Sequence, residues 1–196
     1  MHVVLLNLLT TGLSVAADDL IFIGAHRLCP ETGRVSDRLH IYVRPQRQPW
    51  SVLRDFIGQP EQGEEAFTDL PDAATALREL VRFAGEDLLV AHRGANDAGP
   101  VLRETCTRLG LPTRRVRLLD SADLARRLFG AEAKVSLREL NRRLCLPAWQ
   151  TPVSPVAALD RQGLILHRLW RLLDPEPGSC PVPHGHTLLP RLEVAP

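Results

Sequence analysis

The sequence predicts an α/β protein with a mixed five-stranded sheet and helices on both faces. Three β-rich runs follow one another between residues 2 and 45 with short connections, a pattern typical of an antiparallel meander. From residue 70 onward, helical patterns alternate with short apolar runs, which indicates parallel strands joined by helices. The chain has 196 residues and is 44% hydrophobic, enough for one domain with a sizeable core.

The first three predicted strands differ in how much of each is expected to be buried. The run "HVVLLNLL" (2–9) is apolar except for Asn7, as in a central strand covered on both faces. The run "LIFIGAHRL" (20–28) is also rich in β-branched and aromatic residues. The run "VSDRLHIYVRP" (35–45) alternates apolar and polar residues, which predicts a half-exposed strand that ends at Pro45.

The later elements have recognisable boundaries. Ser121 and Ser136 are at positions typical of helix N-caps, and Glu139 completes a capping-box pattern with Ser136. Pro155 stands where proline is favoured, at the first position of a helix. The predicted helices are 70–87, 98–110, 121–129, 135–146 and 154–173, and the predicted strands between them are 88–92 and 116–120.

The two ends of the chain are predicted to differ. The apolar N-terminus lacks the basic region and cleavage site of a signal peptide, and it is shorter than the roughly 20 residues that span a bilayer. The C-terminal residues are rich in proline and glycine, so we expect an extended tail. The predicted division is a domain over residues 1–173 and a tail over 174–196.

The charge and the cysteine content bear on nucleic-acid binding, on metal motifs and on the redox state of the thiols. The 24 basic and 23 acidic side chains give a net charge of +1, which is not the global signature of a nucleic-acid-binding protein. A local basic groove would still suffice for such binding. The four cysteines are far apart in sequence, so there is no CxxC metal motif. Reduced thiols in a cytoplasmic protein without membrane contact are the expectation.

Seven short motifs occur in an order known from one family. The first strand runs into "NLLTTGL" where the family has D-x-E-T-T-G-L, and the fourth predicted strand runs into "LVAHRGAND" where the family has V-A-H-N-x-x-F-D. The other five matching segments are "IFIGAH", "YVRP", "LLDSADLARRL", "LRELNRRLCL" and "PVAALD". The chain therefore resembles the DEDDh (DnaQ-like, proofreading-subunit-type) 3'-5' exonucleases of the ribonuclease-H-like superfamily, over about residues 3–173.

This resemblance implies a specific catalytic apparatus. Members of the family hold two divalent ions, Mg²⁺ or Mn²⁺, with four carboxylates, and the ions activate water and stabilise the scissile phosphate. A histidine accepts the proton of the attacking water.

The catalytic positions of the family are only partly retained. The first aspartate falls on Asn7 and the glutamate on Leu9, so neither carries charge. The histidine falls on Pro155, which cannot accept a proton. The two remaining aspartates fall on Asp97 and Asp160. Two of five positions thus survive, and two carboxylates would hold at best one Mg²⁺ or Mn²⁺ ion weakly. No tightly bound cofactor is expected.

The resemblance also implies residues that contact substrate. At the mouth of the site, Arg93 replaces a family asparagine, and it would either bind phosphate or neutralise Asp97 and Asp160. The positions that match substrate-contacting family residues, together with this arginine, are Thr10, Thr11, Gly12, His92 and Arg93.

These observations predict an inactive or very weak exonuclease domain that binds single-stranded nucleic acid or a protein partner. Two alternatives remain open. One is an active metal-dependent 3'-5' exonuclease with a rewired site, for which Asp18 and Asp19 are the nearest spare carboxylates in sequence. The other is a purely structural partner protein, and a homodimer is compatible with either.

Overall fold

The computed structural model describes residues 1–12, 14–46, 68–94, 96–148, 154–173, 176, 179–182 and 184–191. The strands are β1 (Val3–Thr10), β2 (Leu20–Leu28), β3 (Val35–Tyr42), β4 (Leu88–Ala91), β5 (Thr113–Asp120) and β6 (Gly185–Pro190). The helices are α1 (Ala73–Ala84), α2 (Ala98–Arg108), α3 (Ser121–Phe129), α4 (Leu137–Arg143) and α5 (Pro155–Leu173). The predicted α/β class with a mixed sheet is confirmed.

The strands form one sheet in the order β3-β2-β1-β4-β5-β6. β1 pairs antiparallel with β2 and parallel with β4, while β4 pairs parallel with β5. Because β1 and β4 run in the same direction, their carboxyl ends meet at one edge of the sheet. Residue 7 of β1 is opposite Gly24 of β2, and Leu6 is opposite Ala91 of β4.

The prediction of five strands is wrong by one, because part of the predicted tail belongs to the sheet. β6 pairs antiparallel with β5, from Thr113 opposite Pro190 to Leu118 opposite Gly185. Thr187 and Leu189 point into the protein and are buried. The proline content around this strand hid it from the sequence analysis, although an edge strand tolerates proline at its ends.

Helices cover both faces of the sheet, as predicted. Val4 and Leu6 of β1 pack in one core cluster with α1 and α2. Val3 and Leu5, which point the other way, pack in a second cluster with α3, α4 and α5. Within the described part of the chain, none of the helices combines the length and apolarity needed to cross a membrane.

Helix caps position the segments near the sheet edge. Ser136 caps α4 as predicted, its hydroxyl accepting a hydrogen bond from the Glu139 amide at 3.3 Å. The predicted cap of α3 is displaced by one residue: Asp120 accepts from the amide of Ala122 at 2.9 Å, and Ser121 is the first helical residue. Because Asp120 caps the helix, the Ser121 hydroxyl can form a hydrogen bond with a residue at the end of β4.

The buried side of β6 should contribute to stability. Replacing Leu189 with alanine removes a fully buried side chain, so we expect the free energy of unfolding to fall by about 2–5 kcal/mol in urea denaturation. The matched control is Leu188→Ala, since Leu188 is only partly buried and should cost clearly less. Equal effects of the two substitutions would show that β6 is not packed as described.

Candidate active site

A cleft of about 380 Å³ opens at the edge where the carboxyl ends of β1 and β4 meet. The end of β1 forms one wall, and the start of α2 forms the wall opposite. α5 contributes a single side chain, Gln162. Of the residues predicted to form a site, the cleft brings together Asn7, Leu9, Thr10, Thr11, Gly12, His92 and Asp97.

The loop after β1 is held in place by its own hydrogen bonds. The Thr11 hydroxyl donates to Asp18 Oδ1 at 3.1 Å and accepts from the Asp19 amide at 3.0 Å. A Cβ atom at Gly12 would lie 2.7 Å from Asp18 Oδ2, so only glycine allows the carboxylate this position. Asp19 is buried and accepts from the amide of Gln46 at 2.8 Å. Asp18 and Asp19 thus close the loop, and neither is among the cleft-lining residues.

Asn7 and Leu9 occupy the end of β1 that faces the cleft. Both are partly buried, and no hydrogen bond joins the Asn7 side chain to another described residue. The Asn7 amide can donate and accept hydrogen bonds but brings no negative charge. Leu9 presents only apolar surface.

Asp97 reaches the cleft from the start of α2 and has a basic partner. Arg93 Nε lies 3.5 Å from Asp97 Oδ2, and both side chains are more than half exposed. The backbone of Arg93 has a φ of 56°, in the left-handed region that non-glycine residues seldom adopt. This turn brings the guanidinium back toward the carboxylate four residues on, so the negative charge of the cleft is partly neutralised.

Asp160 is not among the residues that line the cleft. Its Oδ1 is 3.6 Å from Nδ1 of His26, a buried residue of β2. Nε2 of His26 in turn lies 2.9 Å from Nε2 of His40 on β3. Burial lowers the pKa of His26 to about 4, and the nearby Asp160 only partly opposes this effect. Of the two aspartates predicted to remain from the family site, Asp97 therefore lines the cleft and Asp160 does not.

Pro155, which the motif comparison predicts at the position of the family histidine, begins α5 and is buried. The α5 residue that does face the cleft is Gln162, which is 7% exposed and whose Oε1 has no hydrogen-bond partner among the described residues. The sequence analysis missed Gln162. A signal was present, since it interrupts the apolar stripe formed by Leu159 and Leu166 on the buried face of α5.

His92 follows β4 and lines the cleft with its ring partly buried. Nδ1 lies 3.0 Å from the Ser121 hydroxyl, which fixes the ring. Nε2 is buried and makes no hydrogen bond of normal geometry among the described residues, although the Val135 backbone interacts with the ring. Burial lowers the pKa of His92, with Asp120 and the Val135 backbone acting in the opposite direction. The neutral ring is therefore the favoured form at neutral pH.

Comparison with protein families identifies the domain. A family model described as an exonuclease, RNase T, matches residues 10–151. The chain belongs to this exonuclease family. It is the DEDDh 3'-5' exonuclease family that the sequence motifs indicated. The matched range leaves out Asn7, Leu9, Pro155 and Asp160, so membership rests on the elements between them.

Curated relatives of the domain are much longer proteins. The PolC-type DNA polymerase III of Bacillus subtilis is 28% identical over 90 residues, which is 46% of this chain and 6% of the polymerase. The corresponding protein of Halalkalibacterium halodurans is 24% identical over 164 residues, 84% of this chain and 11% of the polymerase. The chain thus spans about a tenth or less of these relatives.

Solved structures share the fold at low sequence identity. A 3'-exonuclease that recognises the 3' end of histone mRNA stem-loop has a TM-score of 0.70 at 13% identity, with 87% of this chain and 81% of that chain covered. Exonuclease X in complex with 5' overhanging duplex DNA has a TM-score of 0.56 at 17% identity, with 86% and 91% covered. These likenesses confirm the ribonuclease-H-like exonuclease fold.

Burial of His26 should make stability depend on pH. The unfolded chain binds a proton at this histidine near pH 6.5 and the folded chain only near pH 4. The free energy of unfolding should therefore fall as pH drops from about 6.5 to about 4, by on the order of 3 kcal/mol from this residue. Urea denaturation across this pH range measures the slope.

Comparison with His26→Gln isolates that contribution. The variant should lose most of the acid-side slope, with a remainder from His40 and His92, whose pKa values burial also lowers. His2→Gln is the matched control, because His2 is exposed. An unchanged slope in His26→Gln would contradict the assignment. If that variant does not fold, titration of the His26 ring by NMR in the unmodified protein gives the same answer.

Proposed function

We propose that this exonuclease-family domain has lost two-metal catalysis and binds the end of a single-stranded nucleic acid in its cleft without metal ions. The observation that carries the proposal is the polarity of the cleft. At the positions of β1 where the family has carboxylates, the cleft has the amide of Asn7 and the apolar side chain of Leu9. The carboxylate of Asp97 already lies next to the guanidinium of Arg93.

The residues present do not fit the pair of Mg²⁺ or Mn²⁺ ions that members of this family generally use. Such ions need clustered carboxylates, whose charges together offset those of the cations. Asp97 has a guanidinium at 3.5 Å, and Asp160 contacts His26 and does not line the cleft. Among the described residues, no three histidine, cysteine or acidic side chains are arranged to hold a metal ion.

The cleft offers other means of binding. Gln162 Oε1 is buried without a partner among the described residues, and such an atom is costly unless a ligand or water satisfies it. His92 Nε2 is also buried, and the Val135 backbone is a candidate partner among those residues. Around them, Leu6, Leu8 and Val101 provide apolar surface. Hydrogen-bonding atoms set in an apolar cleft of this volume suit a nucleoside, whose hydroxyl groups and base present both kinds of surface.

Proteins of the same fold support the choice of ligand. One binds histone mRNA stem-loop, another is a nuclease domain bound to rAMP, and Exonuclease X binds DNA. The choice between RNA and DNA, a protein partner and the cytoplasmic location stay predictions.

The first test separates binding from catalysis. With Mg²⁺ or Mn²⁺, we expect no 3'-5' degradation of single-stranded DNA or RNA of about twelve nucleotides, while fluorescence anisotropy detects binding of the same oligonucleotides in EDTA.

The double substitution Asn7→Leu and Gln162→Leu should weaken that binding by a factor on the order of ten, because it removes about 1.4 kcal/mol of hydrogen bonding. Asn96→Leu is the control, as Asn96 is an exposed amide outside the cleft lining. Metal-dependent degradation that Asp97→Ala abolishes would overturn the proposal.

A second test restores charge to the cleft. Asn7→Asp together with Leu9→Glu adds two carboxylates beside Asp97, so Mn²⁺ affinity measured by calorimetry should rise by more than about tenfold. Little nuclease activity should return, because Pro155 supplies no general base. The control Asn96→Asp adds charge outside the cleft lining. Equal Mn²⁺ affinity in the reverted and control variants would contradict the assignment of these positions.

A further inference from the structure

We propose that a basic groove beside α4 carries the phosphate backbone of the single strand whose end lies in the cleft. The groove has a volume of about 620 Å³ and is lined by Lys134, Arg138 and Arg142, with one carboxylate, Glu139. This inference rests on the proposed function and adds to it the path of the ligand beyond the cleft.

The groove is held open by contacts on its own floor. Asn141 is buried and donates from Nδ2 to the carbonyl of Pro147 at 3.0 Å. Arg161 of α5 donates from Nη1 to Asn141 Oδ1 and to the Pro147 carbonyl, both at 3.2 Å. These bonds tie α4, the segment after it and α5 together, so the groove exists before any ligand binds.

The charge of the groove is unbalanced. Glu139 accepts hydrogen bonds from Arg142 and Arg143 at 2.7 and 2.8 Å, and these bonds hold the pKa of its carboxyl at about 2. Lys134 and Arg138 are exposed and have no acidic partner among the described residues. Three cations thus line the groove with one carboxylate, in a chain whose net charge is only +1.

The chemistry of these cations suits phosphodiesters. Arg138 and Arg142 are four residues apart in α4 and therefore lie on one face of the helix, about one turn apart. A guanidinium binds phosphate oxygens through paired hydrogen bonds, and Lys134 adds a point charge next to them. Glu139 fixes the position of Arg142, which reduces the entropy lost when phosphate binds.

Two connections join the groove to the cleft. The backbone of Val135, the residue after Lys134, lies close enough to His92 to act on its pKa, and His92 lines the cleft. On the other side, Arg161 on the groove floor precedes Gln162 of the cleft. Residues next to the two cavities are thus neighbours at both points, and the proposed path of the strand runs from the cleft into the groove. This arrangement favours nucleic acid over an acidic peptide, because a nucleic acid has a nucleoside that suits the cleft and phosphates that suit the groove, whereas an acidic peptide has only the negative charges.

The experiment compares two ligands, a mononucleotide that occupies at most one of the two cavities and a single strand of about twelve nucleotides. The variant Lys134→Gln with Arg138→Gln should bind the longer strand about tenfold more weakly at low salt. Its plot of log affinity against log salt should be shallower by about 1.4, because each phosphate contact of a single strand contributes about 0.7. Mononucleotide affinity should not change.

The matched control is Arg168→Gln with Arg171→Gln, which removes the same charge from exposed positions further along α5. If both ligands bind and the groove variant behaves as this control does, the groove inference is wrong and the proposed function stands. If neither ligand binds even at low salt, the proposed function fails. An oligoglutamate of equal charge that competes as well as the oligonucleotide would overturn the assignment to nucleic acid.

Discussion

Strand β1 hydrogen-bonds along both edges, antiparallel with β2 and parallel with β4, and every element of the site takes its position from that pairing. The parallel side puts the ends of β1 and β4 next to each other and so creates the cleft. The antiparallel side puts residue 7 opposite Gly24, where an added Cβ would lie 3.1 Å from Leu159 of α5. α5 can therefore approach the sheet closely enough for Gln162 to reach the cleft.

Much of this arrangement could be predicted from the sequence because it depends on local patterns. The buried run of β1, the cap at Ser136 and the "TTG" turn each follow from residue types at fixed spacing. β6 could not be predicted in this way, because its evidence is long-range: Leu189 is buried only through its pairing with β5 and its contact with the core. Proline and glycine around a strand give a local signal for a loop, and here tertiary pairing outweighed it.

In the candidate site too, residue types could be read from the sequence, whereas contacts between distant segments could not. Comparison with the family motif predicted which catalytic positions carry no charged residue, since that depends on sequence alone. It could not show that Asp160 lies beside His26 or that Gln162 takes a place in the cleft, because both depend on how α5 packs on the sheet. The contact with the buried ring of His26 gives Asp160 a structural partner outside the cleft lining.

The pairing of Arg93 with Asp97 also bears on how the protein folds. Carboxylates crowded into one cleft repel each other, and a protein built that way gains stability when cations bind its native state. A cleft whose one carboxylate has a neighbouring guanidinium is free of that repulsion. We therefore expect the melting temperature of this domain to be insensitive to chelators. The stability of this domain would then be independent of the cellular magnesium level, whereas a nuclease with clustered carboxylates is more stable when that level is high.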